Sequence, residues 1–167
     1  MEFKLYNLEK KIKLFLSVVI LTLSIGVLTG LVYLYNTTNL SSSGTIQRIS
    51  GSSEISDFDI PDNYPKPISE LLITTHNHII GFSFIFLIVG SVFYFNSIVI
   101  GFWKSFLMIE PLISIVITFG SIWLIRFVST DFVFVTIVSS SLIYISLFLM
   151  IVIVLYELAF KKAPLST

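Results

Sequence analysis

Two imidazoles are the first candidates for chemistry. His76 and His78 are the only histidines in 167 residues, and they stand two apart in the run Thr74-Thr75-His76-Asn77-His78. Imidazole ligates transition metals and haem iron and carries protons near neutral pH. Spacing decides what a pair can do. Successive residues of an α-helix turn by about 100°, so residues two apart point about 200° apart and cannot chelate one ion. In an extended segment they would share a side. Both could then bind copper or zinc together with Glu70 or Asp62. Three readings stay open. Each ring is a hydrogen-bonding group where polar meets apolar. One ring ligates haem b or lines a quinone pocket. Or both hold a metal. A haem clasped between two helices needs a ligand from each, and no other histidine exists. Met108 and Met150 fall toward the other membrane face, roughly 25 Å away at about 1.5 Å per residue. A haem here would be five-coordinate, shared between two copies, or completed by a partner subunit.

Glu110 is the third candidate, in Glu110-Pro111. A carboxyl group inside a membrane is costly and marks a functional position. The competing account starts the helix at Pro111 and leaves Glu110 in a wet first turn near Lys104. No catalytic residues emerge: the P-loop, Gly-x-Ser-x-Gly and His-Glu-x-x-His patterns are absent. The chain has no cysteine. That removes disulfides, thiolate metal sites, Fe–S clusters and covalent haem attachment. An enzyme is not expected.

The elements that position these residues follow from composition. The chain is 55% hydrophobic and 12% charged, with a mean hydropathy of +0.96. Soluble domains carry about 25% charged residues, and a soluble fold of this size would expose too much apolar surface. The expected fold is all-α, an integral membrane four-helix bundle. Its spans are 14–36, 69–95, 104–126 and 132–158. Each is long enough to cross a core of ~30 Å. The first span is too long for the apolar region of a cleaved signal peptide and lacks its small-residue cleavage site. It reads as a retained anchor behind the segment 1–13. The loop 37–68 is rich in Ser, Asp and Pro and has too few large apolar residues for a domain core. The links 96–103 and 127–131 are short, which makes neighbouring helices antiparallel. A tail, 159–167, closes the chain.

Positive charge orients the bundle. With both termini in the cytoplasm, Lys4, Lys10, Lys11, Lys13, Lys104, Lys161 and Lys162 lie inside, against Arg48, Lys66 and Arg126 outside. Five acids, Glu54, Asp57, Asp59, Asp62 and Glu70, then fall outside.

Lipid tails are as apolar as leucine, so small and polar residues mark where membrane helices meet. The expected packing face is Thr22, Gly26 and Gly30 in the first span, Ser83 and Gly90 in the second, Ser114 and Thr118 in the third, and Ser140 in the fourth. His76 shares the side of Ser83 and Gly90 at seven-residue spacing. It is therefore the ring expected to be buried, with Tyr33, Tyr35, Trp123 or Arg126 as its partner.

The Thr-His-x-His segment opening one span, with Glu-Pro in the next, resembles small bacterial four-helix membrane proteins that carry such a segment. The likeness covers Ser69 to Trp123. It implies a four-helix protein and no activity. The expected location is the cell membrane, as a multi-pass protein of the bacterial inner membrane. The expected function is a structural or accessory subunit of a membrane complex, with lipid, partner subunits or further copies around it and no nucleic acid. The alternative is a redox subunit that binds haem, quinone or a metal through His76 or His78.

Overall fold

A computed structural model of the chain describes residues 4–52 and 63–161. Glu54, Asp57, Asp59, Asp62 and Lys162 lie outside the described residues, so the proposed carboxylate partner Asp62 and part of the charge count do too. The elements are α1 (Lys10–Thr38), α2 (Ser42–Ser50), α3 (Ile68–Tyr94), α4 (Phe102–Phe127) and α5 (Val133–Phe160), with single 3-10 turns at Leu5–Asn7 and Thr130–Phe132. α1, α3, α4 and α5 are each long and apolar enough to cross a membrane. The protein is an all-α integral membrane bundle with multiple spans.

Local chemistry sets the helix ends. Asn39 closes α1 in the left-handed conformation (φ 50°) and donates its N–H to the Tyr35 carbonyl at 2.8 Å. Asparagine tolerates this conformation because its short polar side chain bonds locally. Pro67 precedes α3 at φ −65°, and Gly101 precedes α4 at φ +62°. α4 then continues straight through Pro111. The account in which the helix starts at Pro111 is therefore corrected: Glu110 is nine residues into α4.

The connection between α1 and α3 is not wholly irregular. Ser41 caps α2 by accepting from the Gly44 N–H at 3.0 Å. A Cβ at Gly44 would run into the Thr38 carbonyl, so glycine is required at this close approach. Ile46 and Ile49, three apart on one side of α2, rest on Ile125 of α4 and Val133 of α5. Its described residues dock two isoleucines onto the bundle.

Among the described residues α4 and α5 make the most extensive contact; α3 lies against both, and α1 touches α5 and α2. The bundle has two distinct ends. At the link end, the Leu5 N–H donates to the Phe95 carbonyl at 3.2 Å. At the loop end, Ser50 Oγ donates to the Ile125 carbonyl at 3.2 Å.

The α4–α5 seam is polar and paired. Ser121 Oγ and Thr136 Oγ1 lie 2.6 Å apart. One turn on, Thr118 Oγ1 donates to Ser139 Oγ at 2.7 Å. All four residues are buried. Hydroxyl pairs of this kind contribute about 0.6 kcal/mol, and up to ~1.7 kcal/mol, in membrane helices. Ser140 instead bonds the Ile137 carbonyl of its own helix. Thr118→Val should lower the unfolding free energy in detergent by ~0.5–1.5 kcal/mol. Ser140→Ala, measured in the same denaturant titration, should leave it unchanged.

Candidate functional site

The most enclosed ionisable group is at the link end. Glu157, near the end of α5, is 0% exposed. Its Oε2 accepts from the Ser97 N–H and its Oε1 from the Ser97 hydroxyl, both at 2.8 Å. Lys161 Nζ donates to that same hydroxyl oxygen at 2.8 Å, with its ammonium 5.7 Å from the Tyr6 ring centre. Asn96 beside it is also 0% exposed. Its Oδ1 accepts from the N–H groups of Ile98 and Val99 at 2.9 and 2.7 Å. Lys104 Nζ covers the Asn96 and Tyr94 carbonyls at 2.8 and 3.0 Å. A link with no regular structure has to find partners for its backbone groups. Here Asn96 of the link itself, Lys104 of α4 and Glu157 of α5 supply them. The cluster therefore tethers the link to α4 and α5.

Glu110 sits within the seam. Ser114, one turn on, donates to its Oε1, and Ser146 of α5 donates to its Oε2 at 3.1 Å. Pro111 lacks an N–H, so the Leu107 carbonyl loses its helical donor. Serine side chains commonly surround such breaks in membrane helices. Both oxygens of Glu110 are thus engaged by hydroxyl groups, and its contacts join α4 to α5.

The histidines lie elsewhere. Both are exposed on the surface of α3, which is helical through them. They point to different sides, as 3.6 residues per turn requires, so the extended two-histidine metal site does not form. Among the described residues, no group of three or more His, Asp or Glu side chains is placed to hold a metal ion.

The packed side of α3 is also not the expected one. It runs through Leu71, Thr75, His78, Phe82, Val89 and Phe93. His78 therefore has the protein contacts, with its ring centre 5.1 Å from that of Phe119 of α4. The partners expected for His76 are engaged elsewhere. Trp123 Nε1 donates to Thr75 Oγ1 at 2.9 Å, Tyr33 accepts from Arg48 at 2.6 Å, and Arg126 reaches the Lys66 carbonyl at 3.4 Å.

The small and polar residues divide by helix. Ser114 and Thr118 are buried in the seam, and Gly90 is buried in α3. Thr22, Gly26, Gly30 and Ser83 are exposed, and Ser140 is half-buried. A Cβ at Gly26 or Gly30 would meet nothing within 4 Å. The hydroxyls of Thr22 and Ser83 bond the Val18 and Ile79 carbonyls one turn back in their own helices. A hydroxyl satisfied in this way has no need of a neighbouring helix. Spacing of small residues therefore could not identify the packed side. Glu157, Ser97 and Asn96 were missed as a site. The one available signal was an acid inside an otherwise apolar span, four residues before Lys161.

A family model described as a transmembrane helical domain, Aq_1264_TM, matches residues 39–165. No curated protein matches the chain, and no solved structure does. The match begins at Asn39, the residue that closes α1, and takes in α2 to α5.

The enclosed Glu157 gives a test of the tether. Glu157→Ala leaves the Ser97 N–H and hydroxyl without their acceptor, at ~1–3 kcal/mol for each buried donor left unpaired. A melt in detergent should show a large loss of stability, with Glu157→Gln intermediate because it keeps one acceptor oxygen. Glu70→Ala is the control, since Glu70 is exposed and only loosely paired with Lys66 at 3.7 Å; it should melt like the parent.

Proposed function

The chain belongs to the Aq_1264_TM family of transmembrane helical domains, and on that premise we propose that it is a structural or accessory subunit of a membrane complex. The observation that supports this is α1. Of its 29 residues only Ile20, Val27 and Thr38 are buried. A helix held by so little contact within its own chain leaves most of its surface for other membrane helices. Its outward side combines Thr22, Gly26 and Gly30 with bulky Ile25 and Leu28. Small residues beside large ones allow close helix approach in lipid. The polar groups best placed for chemistry, Glu110 and Glu157, both have their oxygens engaged by serines. That is the arrangement of a scaffold.

A photo-crosslinking amino acid replacing Ile25, activated in native membranes, should give a discrete adduct with another membrane protein. An adduct with lipid alone would overturn the reading. An adduct with a second copy of this chain would replace it with self-assembly.

In this reading the link end faces the cytoplasm of a bacterial cell, as the excess of lysines at that end supports. Asn96 is fully buried and holds the link together, so it is a poor position for a reporter. Ile100, 74% exposed, and Gln47 on α2 are better, and the chain has no cysteine of its own. Gln47→Cys should react with a membrane-impermeant thiol reagent in intact cells and Ile100→Cys should not. The opposite pattern would invert the orientation.

A further inference from the structure

The side of α3 turned away from the bundle carries a pattern of its own. Ile73, Asn77, Ile80, Phe84 and Leu87 follow one another at alternating steps of four and three residues, and all five are exposed. Such steps keep side chains on one line along a helix, the seam spacing of paired helices. At about 100° per residue the line falls on the opposite side of α3 from Thr75, Phe82 and Phe93, which pack on the bundle.

Four apolar side chains facing lipid need no explanation. Asn77 does. It stands nine residues beyond Ile68, the first residue of α3, and so about 14 Å along the helix. α3 has 27 residues and is about 40 Å long. It therefore outruns a hydrocarbon core of ~30 Å by about 5 Å at each end. That puts Asn77 inside the hydrocarbon, where water is not available to a polar group. Its carboxamide has donors and an acceptor, and no described residue is bonded to any of them. Asn36 of α1, by contrast, turns its amide onto the Val32 carbonyl of its own helix at 2.9 Å. An amide left bare in lipid is costly, and asparagine side chains in membrane helices bond across to other helices.

Depth and chemistry together say which helix that is. Copies of one chain inserted with one topology carry Asn77 at the same depth. A two-fold axis along the membrane normal then sets one carboxamide against the other. A carboxamide both donates and accepts, so each can satisfy its twin. A single asparagine in an otherwise apolar seam is also the device by which paired helices fix their register and number.

We propose that the outer side of α3 is a self-association surface. Two copies pair their α3 helices in parallel, with Asn77 bonded to Asn77 and Ile73, Ile80, Phe84 and Leu87 packed above and below. The surface lies on a different helix from the one that supports the accessory-subunit reading, and the assignment does not depend on that reading.

The chain has no cysteine of its own, so single cysteines report the contact directly. The full chain carrying Ile73→Cys, Ile80→Cys or Phe84→Cys is oxidised in native membranes with iodine, which enters the bilayer. Each should give a band of twice the chain mass that a reducing agent reverses. Leu72→Cys on α3 and Val116→Cys on α4 are exposed but off the line, and should stay at the mass of one chain. The strength of pairing is read separately in lipid vesicles, by energy transfer between donor- and acceptor-labelled copies as lipid is added. Asn77→Leu should weaken pairing by ~3- to ~20-fold, the range for hydrogen bonds between membrane helices. Asn77→Gln, which keeps the carboxamide, should recover most of it. Asn77 points away from the bundle, so the Asn77→Leu protein should keep its helical circular dichroism, and lost pairing is not lost folding. The proposal is overturned if no position on the line gives the double-mass band, if the product has the mass of a different partner, or if Leu72→Cys or Val116→Cys links as well as the line does. It is equally overturned if Asn77→Leu pairs as tightly as the parent, or if Asn77→Gln pairs no better than Asn77→Leu.

Discussion

Inside a bilayer a polar group has no water to fall back on, and the bundle is arranged around that constraint. The α4–α5 seam is where it is met most fully. Along α4, Glu110, Ser114, Thr118 and Ser121 recur at intervals of three and four residues. They meet Ser146, Ser139 and Thr136 of α5. A pair of hydroxyls is a weak bond, but several in register do something hydrophobic contact cannot do in lipid. Sliding α4 against α5 by one residue would break all of them together. The seam therefore sets the register of the two helices, and other elements attach to it: α3 through Trp123 and Thr75, α2 through Ser50 and the Ile125 carbonyl, and the link through Ser97 and Glu157.

The two ends meet the same constraint by different means. At the loop end, partners come mostly from backbone carbonyls and hydroxyls, and the isoleucines of α2 close over Ile125 and Val133. At the link end the connection is too short to build a helix of its own. Its N–H groups are taken up by whole side chains: Asn96 from within, Glu157 from α5, with Lys104 and Lys161 on the oxygens that remain. An acid in the last turn of a helix is opposed by the helix dipole. Its presence at Glu157 is explained by the two donors of Ser97, which need an acceptor there more than the helix end needs a cation.

The four crossing helices were legible in the sequence because hydropathy over some twenty residues is a strong signal, and the short links implied antiparallel neighbours. Two features were not. α2 lies in a polar stretch with only two apolar anchors, Ile46 and Ile49, and nothing short of the bundle surface that receives them marks it as ordered. The packed side of α3 was misread for a more general reason. Small residues permit close approach without requiring it. Gly26, Gly30 and Ser83 face outward although their spacing is that of a packing motif, while the inward side of α3 uses Leu71, Phe82 and Phe93, which carry no such label. On α4 the reading of Ser114 and Thr118 agreed with the structure because those hydroxyls have partners on another helix; Thr22 and Ser83 bond within their own.

That difference bears on where function lies. Glu110 and Glu157 would each attract notice in a membrane segment, yet each has both carboxyl oxygens occupied by serines of the same chain. Their polarity is used up in holding helices together.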